Sequence, residues 1–498
     1  MIKKILIANR GEIAVRIVKA CNEMEITSVA IYSDADKYSL HVRVADEAYH
    51  IGNSAASESY LDGDKIIELA KNISADAIHP GYGFLSENSN FIKKCEIAGI
   101  VFIGPSSKSV KMMGDKTSAR KLMNQNNVPI VPGSTEGIKS YEGAKKIALE
   151  IGLPVMLKAA AGGGGKGMRK IDKIEDLKQA IDSTKNEAKK AFGNDAVYIE
   201  KFIENPKHIE VQILADKHGN FLHLFERDCS IQRRHQKVVE EAPAFTLTPE
   251  LRTKVTFAAI NAAKTCNYFN AGTIEFLFDQ KDNFYFLEMN TRLQVEHPIT
   301  ELITGIDLVK EQIKIAQGDK LTIKQEDIKI MGHAIECRIY AEDVDANFAP
   351  STGKILHHRL PSGPGIRVDR GIDIHSDVSI YYDPMLSKVI AFGKDRQEAI
   401  ARMIRALGEY QIVGVTTNIH SFQWILNNQF FLNGNFDINF LDKNFIKLLP
   451  GKWKIELDDK YENIAVILAA LLKNKDSKTI PFKRECKPEN QWGKSSYE

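Results

Sequence analysis

Long apolar runs are missing from this sequence, and none approaches the roughly 18 residues of a membrane span. The opening, MIKKILIANRGE, has a basic pair followed by the apolar stretch ILIA, which is too short for the core of a secretion signal. An excess of one charge is missing too. Lys and Arg number 67 against 65 Asp and Glu, a net +2, which offers no footing for nucleic acid or an anionic membrane surface. No C-x-x-C pair occurs. The six cysteines (Cys21, Cys95, Cys229, Cys266, Cys337 and Cys486) are scattered, which argues against structural zinc and for reduced thiols in a reducing compartment. Internal repeats and long low-complexity tracts are absent as well. What remains is the expectation of a cytoplasmic globular protein with neither nucleic acid nor membrane as partner.

With 498 residues, 43% hydrophobic and 27% charged, the chain has ordinary globular composition and length for several domains. The first part alternates short apolar strands with amphipathic helices. KILIAN, TSVAIYS, DAIHPG and IVFIGP read as strands, and GEIAVRIVKACNEM, YLDGDKIIELAKNI and NSNFIKKCEIAG as helices. That rhythm predicts an α/β fold opening on a parallel sheet over 1–114. Ligands on such sheets bind beyond the carboxyl ends of strands, where the loops ANRGE and HPGYGFLSEN lie. A linker helix is expected over 115–130. A glycine-loop segment follows over 131–203, a strand-rich part over 204–330 and an α+β part over 331–446. The tail, 447–498, is rich in Lys and Asn and carries one apolar helix, NIAVILAALLK.

LKAAAGGGGKGMRKI, residues 157–171, is the densest glycine run. A Walker A loop, G-x-x-x-x-G-K-[ST], would need Gly at 160 and Ser or Thr at 167, where Ala160 and Gly167 stand. MRKI then alternates like a strand instead of opening a helix, so the G-x-G-x-x-G reading fails as well. The stretch reads as a strand–loop–strand hairpin whose backbone N–H groups are free to wrap a phosphate chain, with Lys158 beside it. A flexible linker is the alternative.

Downstream, EFLFDQKDNFYFLEMNTRLQVEHP sets Glu275 and Glu288 on two strands of a hairpin, with Asn290 on the same face as Glu288. Two carboxylates and a carboxamide oxygen suit Mg²⁺, or Mn²⁺ in its place. Continued as a strand, the same parity would align Glu288, Asn290, Arg292, Gln294 and Glu296. A solvated strand face is the competing reading. ERDCSIQRRHQKVVEEAP is dense in cations and donors, and a basic surface loop is its plain alternative.

Taken together, IANRGEIA, HPGYGFLSEN, KAAAGGGGKGM, ERDCSIQRRHQKVVEEAPA, FLEMNTRLQVEHPITE and ECRIYAED resemble biotin carboxylase, from about residue 2 to 446 and in order. The resemblance implies an ATP-grasp fold with an N-terminal Rossmann-like (pre-ATP-grasp) parallel sheet, a mobile glycine-loop lid and a C-terminal α+β subdomain. It implies ATP-dependent carboxylation of biotin by bicarbonate through carboxyphosphate. Lys116 and Lys158 correspond to the ATP-phosphate lysines, and Gly163, Gly164, Gly165 and Gly167 to the lid. Glu200, Lys201 and Ile203 correspond to the adenine strand, and His208, Gln232 and His235 to further nucleotide contacts. Glu275, Glu288 and Asn290 match the metal ligands. Arg292, Gln294 and Val295 match the bicarbonate pocket, Glu296 the general base, and Lys237 a stabiliser of the phosphorylated intermediate. Arg338 matches the residue that holds the biotin enolate, and Tyr82 a neighbour of biotin. Catalysis on this reading rests on Glu296, Arg338, Lys237 and Arg292.

Another ATP-grasp ligase would share the glycine loop and the metal ligands but lack RLQVEHP together with ECRIYAED. A non-catalytic nucleotide sensor would have no need of Glu296, Lys237 and Arg338 at once. The sequence has no A-M-K-M biotin acceptor. Biotin is therefore expected on a separate carrier protein, with a carboxyltransferase as second partner, a homodimer as the assembly and the tail as a docking segment.

Overall fold

The computed structural model describes residues 1–160, 167–454, 464, 466–468, 470 and 471. It divides into two units, Met1–Trp453 and Lys454–Glu498, and in the second the described residues from 464 to 471 are helical.

The first sheet is parallel and five-stranded: β1 (Lys4–Ile7), β2 (Thr27–Ser33), β3 (Glu47–Gly52), β4 (Ala77–His79) and β5 (Val101–Phe102), in the order β3-β2-β1-β4-β5. Both faces of β1 are buried. Ile5 and Ile7 enter one apolar cluster with the helix Gly11–Glu23, and Leu6 and Ala8 enter another with the helices Gly63–Asn72 and Ser89–Ile97. A strand covered on both sides by helices needs a continuous apolar run, which is why KILI betrays it. β3 escapes a sequence reading because EAYHIG buries only Ile51 completely.

A second sheet, β7-β6-β8, is antiparallel and joins β6 (Val155–Ala159), β7 (Met168–Ile171) and β8 (Val197–Lys201). Val155 and Leu157 pack under the helices Tyr141–Ile151 and Leu177–Phe192, leaving Met156 and Lys158 on the opposite face. The expected glycine hairpin is present in its strands. Gly167 at its far end has φ +71° and accepts from Ala159 N–H, while Gly163, Gly164 and Gly165 lie outside the described residues.

The third sheet carries β9 (Lys207–Ala215), β10 (Phe221–Arg233), β11 (Gln236–Ala242), β12 (Asn270–Phe278), β13 (Phe284–Asn290) and β14 (His333–Tyr340), followed by Met385–Gly393 and Ile366–Arg370. Its order is β13-β12-β9-β10-β11-β14 and then those two strands, so one continuous sheet runs across residue 330. Two sequence expectations change here. β13 stops at Asn290, and residues 291–296 form an irregular segment leading into the helix His297–Thr304, with Pro298 in its first turn. Arg292, Gln294 and Glu296 are therefore not the continued face of a strand: the ladder with β12 ends at Asn290, and the chain turns at 295–296 into the helix. The basic-loop alternative for ERDCSIQRRHQKVVEEAP also falls. That segment is a hairpin of buried strands, β10 and β11, turning at Arg234 and His235.

Candidate active site

One cleft of about 480 Å³ opens between the second sheet and the third. Lys158 lines it from β6 and Lys116 from the start of the helix Lys116–Gln125. Lys116 stands 3.5 Å from Glu288, and Lys158 makes an ion pair with the buried Glu200, which also accepts from Arg120 at 2.9 Å. Lys201 and Ile203 line the cleft as well, with the Lys201 ammonium donating to the carbonyls of Gly152 and Leu153, both at 3.0 Å.

On the other side the sheet register puts the acids in a row. Glu275 on β12 is the direct neighbour of Glu210 on β9 and of Glu288 on β13, as Thr273 is of Asn290. Residues directly opposite on paired strands share a face. Glu275 Oε1 accepts from Asn290 Nδ2 at 2.9 Å and Gln294 Nε2 at 3.1 Å, while Oε2 lies 3.1 Å from His208 Nε2. Arg292 reaches Asn290 Oδ1 at 2.8 Å and Glu87 Oε2 at 2.8 Å. Glu288 and Asn290 both line the cleft. A hard-oxygen donor set of this kind, buried at Glu275 and open at Glu288, fits a divalent cation, with the Lys116 ammonium beside it.

At the back of the cleft three carboxylates converge on one cation. The Lys237 ammonium has three protons, and it donates to Glu210, to Glu275 at 2.9 Å and to Glu296 at 2.7 Å. Arg338 completes the arrangement, donating through Nη2 to Glu296 Oε2 at 2.8 Å, with Nε 2.6 Å from Glu240 in a charge contact that is not aligned as a hydrogen bond. Burial alone would raise a glutamate, but Lys237, Arg338 and Arg227 hold Glu296 well below the ordinary carboxylate range. Burial would lower Lys237, and the surrounding carboxylates instead keep it well above an ordinary lysine. Glu296 is thus an ionised carboxylate with a cation on each oxygen.

Gln232 and His235 line the same cleft from the β10–β11 hairpin, Gln232 donating to the Cys229 carbonyl at 2.8 Å. Arg234 and His235 have φ of +49° and +65°, a left-handed turn that costs a non-glycine residue on the order of 1 kcal/mol. Val295 lines the cleft as expected. Tyr82 lies outside the lining, its ring centroid 5.9 Å from the Lys388 ammonium.

Several functional side chains were not singled out from the sequence. Glu210 supports both Lys237 and the fully buried Arg227, 2.5 Å away, and Glu87 orients Arg292. The first carried a signal: His208, Glu210 and Gln212 in KHIEVQILA alternate along a strand otherwise apolar, which is costly unless those groups are used.

Comparisons with known proteins agree along the chain. Residues 1–110 match the model for the biotin carboxylase N-terminal domain. Residues 115–324 match that for the carbamoyl-phosphate synthase L chain ATP-binding domain, and 336–443 that for the biotin carboxylase C-terminal domain. A pyruvate carboxylase subunit of Methanothermobacter thermautotrophicus is 54% identical over 443 residues, covering 89% of this chain and 90% of that one. Biotin carboxylase 1 of Bacillus subtilis is 52% identical over 443 residues, covering 89% and 98%. The biotin carboxylase–β-γ-ATP complex from Campylobacter jejuni superposes with a TM-score of 0.87 at 48% identity, over 89% of this chain and 99% of the other. The biotin carboxylase domain dimer of Hydrogenobacter thermophilus 2-oxoglutarate carboxylase, in complex with MgADP, ADP and bicarbonate, gives 0.86 at 48% identity over 92% and 100%. Sharing more than half of its residues with such relatives along 89% of its length, the chain belongs to the biotin carboxylase family.

Proposed function

We propose that the cleft carries out the first half-reaction of a biotin-dependent carboxylase, in which ATP and bicarbonate carboxylate biotin and release ADP and phosphate. The observation that carries this reading is Glu296, ionised and held between Lys237 and Arg338 in a cleft that Lys116 and Lys158 also line. Bicarbonate is a poor nucleophile and a poor electrophile, so its oxygen must first attack the γ-phosphorus of ATP. Bringing two anions together is a matter of position and charge, which Lys116 and Lys158 supply. Glu275, Glu288 and Asn290 would hold Mg²⁺, or Mn²⁺, which neutralises the phosphates when bound.

Arg292, Gln294 and Val295 seat bicarbonate, and Glu296 takes its proton. Without substrate the cations on Glu296 keep it a weak base. Arriving anions draw Lys237 and Arg338 toward themselves and raise its proton affinity when the proton must move. Lys237 then faces the carboxyphosphate, which breaks down to CO₂ and phosphate. The phosphate takes the ureido proton of biotin, Arg338 stabilises the enolate by a charge-assisted hydrogen bond, and the enolate attacks CO₂.

Biotin arrives on a separate carrier protein, carboxyl transfer belongs to a second subunit, and the chain works as a homodimer in the cytoplasm. The final acceptor is set in the second subunit: relatives at 46–54% identity are named for pyruvate, methylcrotonoyl-CoA and propionyl-CoA. The tail docks a partner subunit, and its test is truncation after Trp453. Trp453 itself is buried and donates to Asp345 at 2.8 Å, so the cut belongs beyond it. Full assembly of the truncated chain with its partners would overturn the docking role.

The test of the main reading is ADP release in the presence of Mg²⁺, with and without bicarbonate and free biotin. Bicarbonate dependence with stimulation by biotin is the expected result. Turnover stimulated instead by ammonia would make the chain a different ligase.

A further inference from the structure

ANRGE, at the carboxyl end of β1, has no part in the chemistry above, yet its three polar residues are buried or ion-paired. Asn9 donates to the carbonyls of Pro80 and Tyr82, both at 2.7 Å, and Arg10 forks onto Asp36 at 2.6 and 2.7 Å while lying over the Tyr382 ring. Glu12 is buried, and neither of its oxygens has an aligned hydrogen-bond donor among the described residues. Its cationic neighbour is the Lys388 ammonium at 3.4 Å.

Lys388 is fully buried in the middle of the strand Met385–Gly393. Asp369 stands 3.9 Å from it, itself held by the Arg367 guanidinium at 2.8 and 2.9 Å. A buried lysine with two nearby acids could be a purely structural ion cluster. One contact points elsewhere: Lys388 Nζ donates to the Val295 carbonyl at 2.7 Å. Lys388 is also the register partner of Arg338 on β14. Two cations directly opposite on paired strands repel, and the arrangement is tolerated only where each has its own anions. Arg338 has Glu240 and Glu296, and Lys388 has Glu12 and Asp369. Consecutive residues of the segment 291–296 are thereby gripped from opposite positions of adjacent strands, Val295 by its carbonyl and Glu296 by its carboxylate.

We propose that Lys388, backed by Glu12 and Asp369, is a positioning residue for the bicarbonate step, acting through the Val295–Glu296 peptide. The proposal rests on the role given above to Val295 and Glu296. A peptide unit is planar and trans, so fixing the Val295 oxygen fixes the plane from which the Glu296 side chain departs. The segment has no strand or helix to hold it before His297; its other anchors are Thr291 and Arg292 on Glu87, the buried Leu293, Gln294 on Glu275 and the Glu296 carboxylate, and the Lys388 bond is the one made to the Val295 backbone oxygen among the described residues.

Lys388→Met and Glu12→Gln test this by steady-state ADP release, with ATP and bicarbonate varied separately and a thermal melt of each variant. A misplacement of about 1 Å in a reacting group costs on the order of 10²-fold, so Lys388→Met should raise the KM for bicarbonate and lower kcat by ~10–100-fold together, with the KM for ATP within about 2-fold of the parent. Glu12→Gln keeps the shape, and should shift the bicarbonate KM in the same direction by ~3-fold. A folded Lys388→Met with parental bicarbonate KM and kcat overturns the proposal. So do ATP and bicarbonate KM rising by equal factors alongside a lowered melting temperature, which would mark a structural ion cluster only. Should Lys388→Met fail to fold, Glu12→Gln decides, and an unchanged bicarbonate KM there overturns it. Loss of bicarbonate dependence in the parent protein itself would instead remove the carboxylase reading on which the proposal stands.

Discussion

Lys237 and Glu296 are opposite charges in one cluster, and their replacement should differ in what is lost besides activity. Glu296→Gln keeps the side chain's size and one acceptor oxygen, for either Lys237 or Arg338, while removing the base. Bicarbonate-dependent turnover should fall by ~10²–10⁴-fold while ATP binding, followed by titration calorimetry, stays near the parent value. Lys237→Met removes the ammonium shared by Glu210, Glu275 and Glu296 and leaves them buried without it. Breaking a buried pair costs roughly 3–5 kcal/mol, so this variant should lose stability as well as activity, visible as a markedly lowered melting temperature. Glu296 and Lys237 were legible because they sit in long distinctive motifs. Glu210, Glu87 and Lys388 were not, because what makes them important is a contact made 27 to 205 residues away or a depth of burial that no local pattern reveals. For Lys388 the span to Val295 is 93 residues.

Among the elements, strands buried on both faces were legible as apolar runs and the glycine hairpin by its flanking alternation. β3 was not, since its side chains are mostly half-buried and polar. Extending β13 past Asn290 by parity also misled, because alternation persists in a sequence after the hydrogen-bonded ladder has ended. Asn290 is the last residue of β13 in register with β12. Close approach between elements is equally silent in sequence. Gly371, just after the strand Ile366–Arg370, lies against the start of the helix Gly11–Glu23, where an added Cβ would come within 2.7 Å of Glu12 N and 2.9 Å of Gly11 Cα. Backbone atoms on both sides cannot yield, so Gly371→Ala should destabilise the protein by ~1–3 kcal/mol, read from chemical denaturation.

At the scale of the whole molecule, buried titratable groups set the acid limit. Burial, reinforced by neighbouring arginines, lowers His41 to about 4 and His79 to about 3, against 6.5 when exposed. Burial would raise Glu241, but His333 and Arg396 bring it down to about 2 from 4.5. In each case the folded form binds fewer protons than the unfolded one between the two values. The contribution of these three groups is complete above about pH 6.5 and is lost on acidification, by up to ~1.4 kcal/mol per pH unit per group, whereas burial raises Glu12 and Glu240 to about 7 and makes them oppose that loss down to about pH 4.5, below which it proceeds unopposed. Thermal melts between pH 5 and 3 should show that fall, and a flat profile there would contradict it. Among the described residues no helix is long and apolar enough to cross a membrane. The enzymatic claim is tested most directly by following label from radioactive bicarbonate onto free biotin in the presence of ATP and Mg²⁺. Acid-labile label should accumulate on biotin in proportion to ADP released and vanish in Glu296→Gln. ATP turnover with no label on biotin, or undiminished labelling by Glu296→Gln, would contradict the account.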